Sequence, residues 1–337
     1  MIKKIIVAVI CGLLLISLMA CGQTENISEE ISTEALAPYV PVHMEIACIK
    51  GPTGVGMVKL MEDAETGNAK NDYAFTVVSS ADEISAKIVS GDINIASVPT
   101  NLAVKLYNKT EGKIQMLAVN TLGVLSVIEN GNSISSFADL KGKTIYSTGE
   151  GSNPEYILRY LLEQNGMTVG EDVQIQFVAT NDELIAQLVS GNAEVAMVPE
   201  PAATTVLTKS ESLNRVLSIN DEWEKVQGDG LMMGCIVALD TFVEENQAAV
   251  DMFLREYEAS INYAKENITD AADLCEKYEI IPAAKVAEQA IPQCNLTFVT
   301  GKEMQEQILP YFEVLKGFDP TSIGGKLPEN DFFYGVE

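Results

Sequence analysis

The stretches "DEISAKIVSGDINIASVPT" (82–100) and "DELIAQLVSGNAEVAMVPE" (182–200) are two versions of one pattern, 100 residues apart. When residues 82–103 are aligned with residues 182–203 without a gap, ten of the 22 positions are identical. A period of this length is too long for a solenoid repeat, so it indicates two similar structural units within one chain.

Each copy of the repeat predicts a strand, a helix and a second strand. A capping box, Ser80-x-x-Glu83 in the first copy and its counterpart at 180–183 in the second, would satisfy free amides at the helix start. Gly91 and Gly191 would end the helices, because glycine enters the left-handed conformation at little cost. The strand-like runs are 73–79, 93–98, 173–179 and 193–198. Each copy is therefore predicted to be a βαβ unit with parallel strands.

A further strand and helix lie upstream of each unit, at 44–61 and at 144–166. Together these segments predict an α/β fold with two Rossmann-like lobes, a hinge that the chain crosses twice and a cleft between the lobes. Ligands of such sheets bind beyond the carboxyl ends of the strands, so the cleft is the expected site. The predicted boundaries are 43–121 with 226–337 for lobe I and 122–225 for lobe II.

The N-terminus has the pattern of an export signal. Lys3 and Lys4 precede an apolar run of twelve residues from Ile5 to Ile16, which is too short to span a bilayer. Residues 1–20 are therefore predicted to be a signal peptide, and Cys21 is the expected lipid anchor. Residues 21–42, rich in Ser, Thr, Glu and Pro, predict a flexible acidic tether.

Composition excludes some partners and leaves the cysteine chemistry open. The chain has 48 acidic and 22 basic residues, a formal net charge of −26, so no basic footprint for nucleic acid is expected. No cysteine or histidine spacing indicates a metal site, and no cofactor is expected. Four cysteines beyond Cys21 could form two disulfides or be small buried residues; they are Cys48, Cys235, Cys275 and Cys294.

The chain resembles a known family at three places. The residues "LKGKTIYSTGEGSNPEYILRYLLEQNG" (140–166), "ELIAQLVSGNAEVAMVPEP" (183–201) and the residues before Cys21 are similar to those of the solute-binding lipoproteins of ABC importers. Within that family the resemblance is to the branch that handles nitrate, sulfonates, taurine and thiamine-precursor pyrimidines. It implies a monomer that carries acyl chains such as palmitate and lies on the outer face of the cell membrane. It also implies that a small polar molecule is captured between two lobes and delivered to an ABC permease driven by its ATPase.

The candidate ligand-binding residues lie in loops that follow the predicted strands. The loop "KGPTGVGM" (50–57) lacks the lysine of a phosphate-binding loop, and we expect its backbone amides to face the cleft. In "YSTGEGSNPEY" (146–156), Asn153 is the predicted N-cap and Pro154 the first helical residue. The predicted binding residues are Thr53, Gly54, Ser79, Thr100, Asn101, Ser147, Thr148, Gly149, Ser152, Asn153 and Glu200.

Several alternatives stay open at the level of sequence. Glu200 either offers a carboxylate to an amine-like ligand or points to solvent, and Trp223 either stacks on a ligand ring or packs at the hinge. The three arginines are expected on helices or on the surface, so no clamp for an oxyanion is predicted. An enzyme of the same fold, acting on a menaquinone-type or thiamine-precursor-type molecule, and a surface lipoprotein without a transport role are the alternatives to a binding protein that catalyses no reaction.

Overall fold

The computed structural model describes residues 39–336. The predicted signal peptide, Cys21 and the tether up to residue 38 lie outside the described residues. Residues 39–42 precede the first strand and are mostly exposed.

The described part of the chain forms eleven strands and thirteen α-helices. The strands are β1 (His43–Ile49), β2 (Asp72–Val78), β3 (Ile95–Pro99), β4 (Ile114–Thr121), β5 (Leu125–Asn130), β6 (Thr144–Ser147), β7 (Gln174–Phe177), β8 (Val195–Pro199), β9 (Leu213–Ser218), β10 (Gly234–Leu239) and β11 (Leu296–Val299). The helices are α1 (Pro52–Val55), α2 (Val58–Glu65), α3 (Ala81–Ser90), α4 (Thr100–Lys109), α5 (Asn153–Gln164), α6 (Asn181–Val189), α7 (Ala202–Leu207), α8 (Ile219–Gln227), α9 (Asp240–Glu245), α10 (Gln247–Glu266), α11 (Ile268–Lys277), α12 (Ala284–Ala290) and α13 (Gly301–Phe318).

The strands form two separate sheets. The first sheet has the order β11-β4-β10-β3-β1-β2, and the second has the order β7-β6-β8-β5-β9. The predicted βαβ units are β2-α3-β3 and β7-α6-β8; β1 is parallel to β2 and β3, and β6 is parallel to β7 and β8. The structure therefore confirms the predicted α/β fold with two sheets.

The repeated helices begin and end as the sequence predicts. The Ser80 and Thr180 hydroxyls accept the backbone N–H groups of Glu83 at 3.4 Å and of Glu183 at 3.2 Å. Gly91 adopts a φ of 80° at the end of α3, a left-handed conformation that a residue with a Cβ enters at a cost. The inward positions of both helices carry Ile or Leu and are buried, which fixes each helix against its sheet.

The chain passes between the two sheets at their strand ends. It leaves the first sheet after β4, enters the second sheet at β5, and returns from β9 through α8 to β10. Because it enters each sheet at the end where the parallel strands finish, β5 and β10 run antiparallel to their neighbours. The strands of the predicted βαβ units are parallel, and antiparallel pairs arise at the two strands by which the chain enters each sheet.

Helix α13 lies outside the segment that forms the second sheet but packs against two helices of that segment. It packs against α5, and its Tyr311 ring meets the Trp223 ring of α8 edge to face at 5.6 Å. Trp223 is buried and also packs on Tyr160, so packing rather than ligand stacking accounts for it. The rings of Tyr156 and Phe318 stack 5.9 Å apart, beside a hydrogen bond of 3.2 Å from the Tyr156 hydroxyl to Asp319.

Candidate functional site

Polar side chains gather at the tips of three neighbouring strands of the first sheet. Asn120 and Thr121 end β4, Ser97 lies near the end of β3, and Gly234 begins β10. In the register of the sheet, Gly234 lies between Pro99 and Thr121. Thr53, in the short helix α1 that follows β1, covers this group. We refer to Thr53, Ser97, Asn120, Thr121 and Gly234 as the first tip cluster.

Asn120 is held in one orientation within the first tip cluster. Its Nδ2 lies 3.2 Å from the Thr53 carbonyl, 3.0 Å from Ser97 Oγ and 2.7 Å from the Tyr257 hydroxyl, so its two hydrogens are shared among three acceptors. A carbonyl oxygen only accepts, so the amide nitrogen must face Thr53 and Oδ1 must point elsewhere. Burial raises the pKa of Tyr257 well above its usual value, so this hydroxyl stays protonated.

Two oxygen atoms of the first tip cluster are buried without a hydrogen-bond partner in the described structure. They are Asn120 Oδ1 and Thr121 Oγ1, on residues that are each 1% exposed. A buried polar atom without a partner costs about 1–3 kcal/mol, so such atoms are rare unless they serve a ligand or a water molecule. Asn120, Thr121 and Ser97 were missed at the sequence level; the available signal was the polar pair that ends the apolar strand "IQMLAVNT" (114–121).

Glycine at position 234 allows the first tip cluster to pack closely. A Cβ added there would lie 2.6 Å from Thr53 Cγ2, 2.7 Å from Asn120 Oδ1 and 2.9 Å from Thr121 Cβ. These separations are below van der Waals contact, so any larger residue would displace the side chains that frame the site.

The tips of the second sheet carry a corresponding set of hydroxyls and amides. Ser147 is buried and its Oγ donates to the Thr148 carbonyl at 3.0 Å, while Thr148 Oγ1 donates to Asn181 Oδ1 at 3.1 Å. Asn153 Oδ1 is buried and has no hydrogen-bond partner among residues 39–336. We refer to Ser147, Thr148, Gly149, Ser152 and Asn153 as the second tip cluster.

The local structure at the start of α5 corrects the predicted cap. Ser152, not Asn153, occupies the N-cap position, and Pro154 is the second helical residue. The Ser152 hydroxyl and backbone N–H both reach the Gly149 carbonyl, at 2.6 Å and 3.1 Å, and do not cap the helix. The backbone N–H of Ser152, a predicted binding residue, is therefore already used within the loop.

The remaining predicted residues divide between the tips and the supporting structure. The Thr100 hydroxyl is fully buried and donates to the Met232 carbonyl at 2.8 Å, and the Gly54 amide donates to the Gly51 carbonyl at 2.9 Å. Asn101 is half-buried, with Nδ2 at 3.5 Å from the Ser322 carbonyl, and Ser79 is exposed at the end of β2. The Thr100 hydroxyl and the Gly54 amide are therefore already hydrogen-bonded within the protein.

Glu200 has neither of the two roles considered from the sequence. Its side chain is 0% exposed and pairs with Arg215 Nη2, and its Oε2 accepts the Thr204 backbone N–H at 3.2 Å. Arg215 lies on β9, not on a helix, and reaches Glu200 past Ser126 of the intervening strand β5, to whose hydroxyl it also donates. The carboxylate is already neutralised, so it does not set the charge preference of a ligand.

None of the residues that form the two tip clusters is a lysine or an arginine. Arg159 pairs with Glu155, and Lys50, which follows β1, pairs with Glu279 at 3.0 Å. Residues 39–336 contain no group of ligating side chains suited to a metal ion. The four cysteines in this range are free and buried, and burial raises the pKa of Cys48 and of Cys275 to about 12.

A separate surface concavity of about 730 Å³ lies at the opposite end of the first sheet. It is bordered by Gln115 at the start of β4 and by Asp240 and Asp331. These polar groups are already paired, since Gln115 donates to Asp240 and the Tyr107 hydroxyl donates to Asp331 at 2.6 Å. The tip clusters, which hold unpartnered buried atoms, are therefore the stronger candidate site.

Comparison with known proteins identifies the family. The model of the family described as ABC transporter, phosphonate, periplasmic substrate-binding protein matches residues 65–266, more than half of the chain. The chain belongs to this family, which confirms the resemblance to solute-binding proteins of ABC importers. The family is one of transport proteins located outside the cytoplasm. In the described residues no helix has the length and apolar character needed to cross a membrane.

Individual relatives agree with this assignment. A protein of Brucella abortus that is named as a binding protein is 23% identical over 192 residues, which span 57% of this chain and 58% of the relative. A crystal structure of an ABC transporter from Parabacteroides distasonis has a TM-score of 0.73 at 20% identity, covering 86% of this chain and 98% of that one. The periplasmic aliphatic sulphonate binding protein of Escherichia coli has a TM-score of 0.67 at 16% identity, covering 85% and 90%. At these identities the structures confirm the predicted fold and say nothing of the ligand.

Proposed function

We propose that this protein is the solute-binding component of an ABC importer, and that it captures a small polar molecule between the two tip clusters. The observation that carries the proposal is a pair of buried oxygens at the strand ends of the first sheet, Asn120 Oδ1 and Thr121 Oγ1, which have no hydrogen-bond partner within residues 39–336. In open α/β sheets this edge is where ligands bind. A ligand that donates to these atoms would remove the cost of their burial.

The proposed mechanism is closure of two lobes around the ligand. Lobe I comprises 43–121 with 226–337 and lobe II comprises 122–225, so that each lobe carries one tip cluster. Segments 122–124 and 228–233 would serve as the hinge. The protein would be a monomer held to the membrane through Cys21 and residues 21–42, would catalyse no reaction, and would deliver its ligand to a permease driven by an ATPase.

The ligand class follows from the chemistry of the free atoms. Asn120 Oδ1 and Asn153 Oδ1 accept hydrogen bonds, and Thr121 Oγ1 can also accept. No unpaired cation lies among the residues of either tip cluster, although phosphonate, sulphonate and nitrate carry negative charge. We therefore propose a neutral or cationic ligand with N–H donors, such as an amine, an amide or an amino-substituted heterocycle.

Native mass spectrometry of the purified full chain tests the function and the ligand class separately. We expect a bound small molecule, and calorimetry with that molecule should give a dissociation constant near micromolar. Methylphosphonate, methanesulfonate and nitrate should bind at least tenfold more weakly. A simple oxyanion that binds as tightly would overturn the ligand class alone, whereas no binding of any small molecule from a cell extract would overturn the proposed function.

A further inference from the structure

A carboxylate occupies the N-terminal end of helix α5, beside the second tip cluster. Glu155 is the third residue of α5, and its Oε2 accepts the backbone N–H of Gly151 at 2.7 Å. Gly151 belongs to the loop that carries Thr148, Gly149 and Ser152 of that cluster. The Glu155 side chain is only 11% exposed, so its charge is screened less than that of a surface carboxylate.

Without this carboxylate, the start of α5 would favour an anion. The backbone N–H groups in the first turn of a helix have no acceptor within the helix, and the helix dipole places partial positive charge at that end. The hydroxyl of the N-cap residue Ser152 bonds to the Gly149 carbonyl and does not cap these groups. The start of α5 therefore has an intrinsic attraction for oxyanions that the hydroxyls of the second tip cluster lack.

Glu155 also neutralises a cation on the next turn of the helix. Arg159 Nε donates to Glu155 Oε1 at 2.6 Å, and the Arg159 side chain is 33% exposed. A guanidinium can bind two oxygens of an oxyanion at once, so Arg159 without its carboxylate would add to the attraction for an anion. Glu150, which is exposed in the loop next to Gly151, contributes a further negative charge. Taken together, the side chains of Glu150, Glu155 and Arg159 are net negative.

We propose that Glu155 is a specificity-determining residue of the binding site, which keeps the start of α5 from binding a phosphonate, sulfonate or nitrate group. Its carboxylate lies at the helix end, holds the Gly151 N–H and pairs with Arg159, and so offsets the attraction for an oxyanion. A ligand that presents an amine or an amide is not repelled. This inference rests on the proposed function and deepens it, because it assigns the charge preference to Glu155 and not to Glu200, whose charge is paired within the second sheet.

Calorimetry of the full chain with methylphosphonate tests the role of Glu155. Glu155→Gln keeps the shape of the side chain and an acceptor for the Gly151 N–H but removes the charge. We expect its affinity for methylphosphonate to be at least tenfold higher than that of the wild type. Glu163→Gln is the matched control, because it removes an equal charge from an exposed position near the other end of α5 and should leave the affinity unchanged. Equal affinities in the two variants would overturn the proposal.

Glu155→Asp separates the charge of this residue from its packing. Aspartate keeps the carboxylate but is one methylene shorter, so it disturbs the bond to Gly151 and preserves the charge. We expect no gain in affinity for methylphosphonate, even where denaturant titration shows a loss of stability. A gain equal to that of Glu155→Gln would show that release of the loop admits the anion, and would overturn the proposal. Micromolar binding of methylphosphonate by the wild type would overturn it whether or not the variants fold.

The backbone amide resonances of the loop locate the new binding by NMR. In Glu155→Gln, the amide signals of Gly151 and Asn153 should shift as methylphosphonate is added, and in the wild type they should stay in place. A gain in affinity accompanied only by shifts elsewhere in the chain would overturn the proposal. The proposed function fails by a different result, because it requires the wild type to bind a small molecule from a cell extract, whatever Glu155→Gln does with methylphosphonate.

Discussion

Asn220 Oδ1 accepts a hydrogen bond of 3.0 Å from the backbone N–H of Leu231, and so joins α8 to the segment that returns to the first sheet. The same oxygen accepts the backbone N–H of Gly123 at 3.2 Å, on the segment that leaves the first sheet. One side chain therefore holds both passages of the chain between the sheets. Asn295 adds a second tie, because its backbone carbonyl accepts the Leu122 N–H at 3.0 Å.

Replacement of Asn220 by leucine should destabilise the protein, because two buried backbone N–H groups would lose their acceptor. We expect the free energy of unfolding to fall by roughly 1–3 kcal/mol, measured by denaturant titration. Asn214→Leu is the matched control, since Asn214 is exposed on β9 and bonds to the Gly131 carbonyl. A variant Asn220→Leu as stable as the control would show that this oxygen does not hold the passages.

Removal of one member of the Glu200–Arg215 pair should affect stability more than ligand binding. Glu200→Leu would leave Arg215, which is 21% exposed, without its carboxylate, and we expect a loss toward the lower end of about 3–5 kcal/mol. The double variant Glu200→Leu/Arg215→Leu should recover much of that loss in thermal and denaturant unfolding. A stable Glu200→Leu variant whose only defect is weaker ligand binding would return Glu200 to the site.

Gly234→Ala tests the close packing of the first tip cluster. Its Cβ would displace Thr53 or Asn120, so we expect a loss of ligand affinity of tenfold or more and a loss of about 1–3 kcal/mol in stability. The control is Gly317→Ala in α13, where an added Cβ meets nothing within 4 Å. The control should bind ligand normally and gain about 0.5–1 kcal/mol. Calorimetry and urea unfolding measure both; normal ligand affinity in Gly234→Ala would contradict the assignment.

Glu129 should make the stability depend on pH. Burial raises the pKa of this carboxyl, but hydrogen bonds from the Ser133 hydroxyl and from the backbone N–H groups of Ser133 and Ile134 outweigh burial and lower it below its ordinary value of 4.5. The folded state then favours the ionised form, so this contribution is present above pH 4.5 and is lost as the pH falls through the lower folded value.

The pH dependence can be measured against Glu129→Gln, which keeps the shape and one acceptor. The difference in unfolding free energy between wild type and variant should be largest near neutral pH and should shrink as the pH falls below 4.5. A difference that stays constant from pH 7 to pH 3 would show that the ionised form of Glu129 is not preferred in the folded state.

The sequence was sufficient for those features that depend on local pattern. Ser80 and Gly91 mark the ends of α3 through caps that act within four residues. Thr180 caps the start of α6 in the same way, and Gly191 is again left-handed but follows the C-cap residue Ser190. Because both repeated units contain these capping residues, the sequence alone was enough to predict the order strand, helix, strand and the positions where the strands end. The predicted N-cap of α5, Asn153, was wrong by one residue. The N-cap is Ser152, whose hydroxyl bonds to the Gly149 carbonyl within the loop.

The features that the sequence could not give depend on sheet register. Glu200 and Arg215 come together because β5 lies between β8 and β9 in the sheet. No pattern of neighbouring residues in the sequence predicts that strand order. Similarly, Asn120 faces Thr53 and Tyr257, which are 67 and 137 residues away in the chain. The unpartnered oxygen of Asn120 could be recognised only once those neighbours were in place.

A crystal structure of the full chain with its co-purified ligand would locate the binding site. We expect a ligand within hydrogen-bond distance of Asn120 Oδ1 or Thr121 Oγ1 that also contacts the second tip cluster around Ser147 and Thr148. A ligand held by one sheet alone, or seated in the concavity beside Gln115 and Asp240, would contradict this expectation.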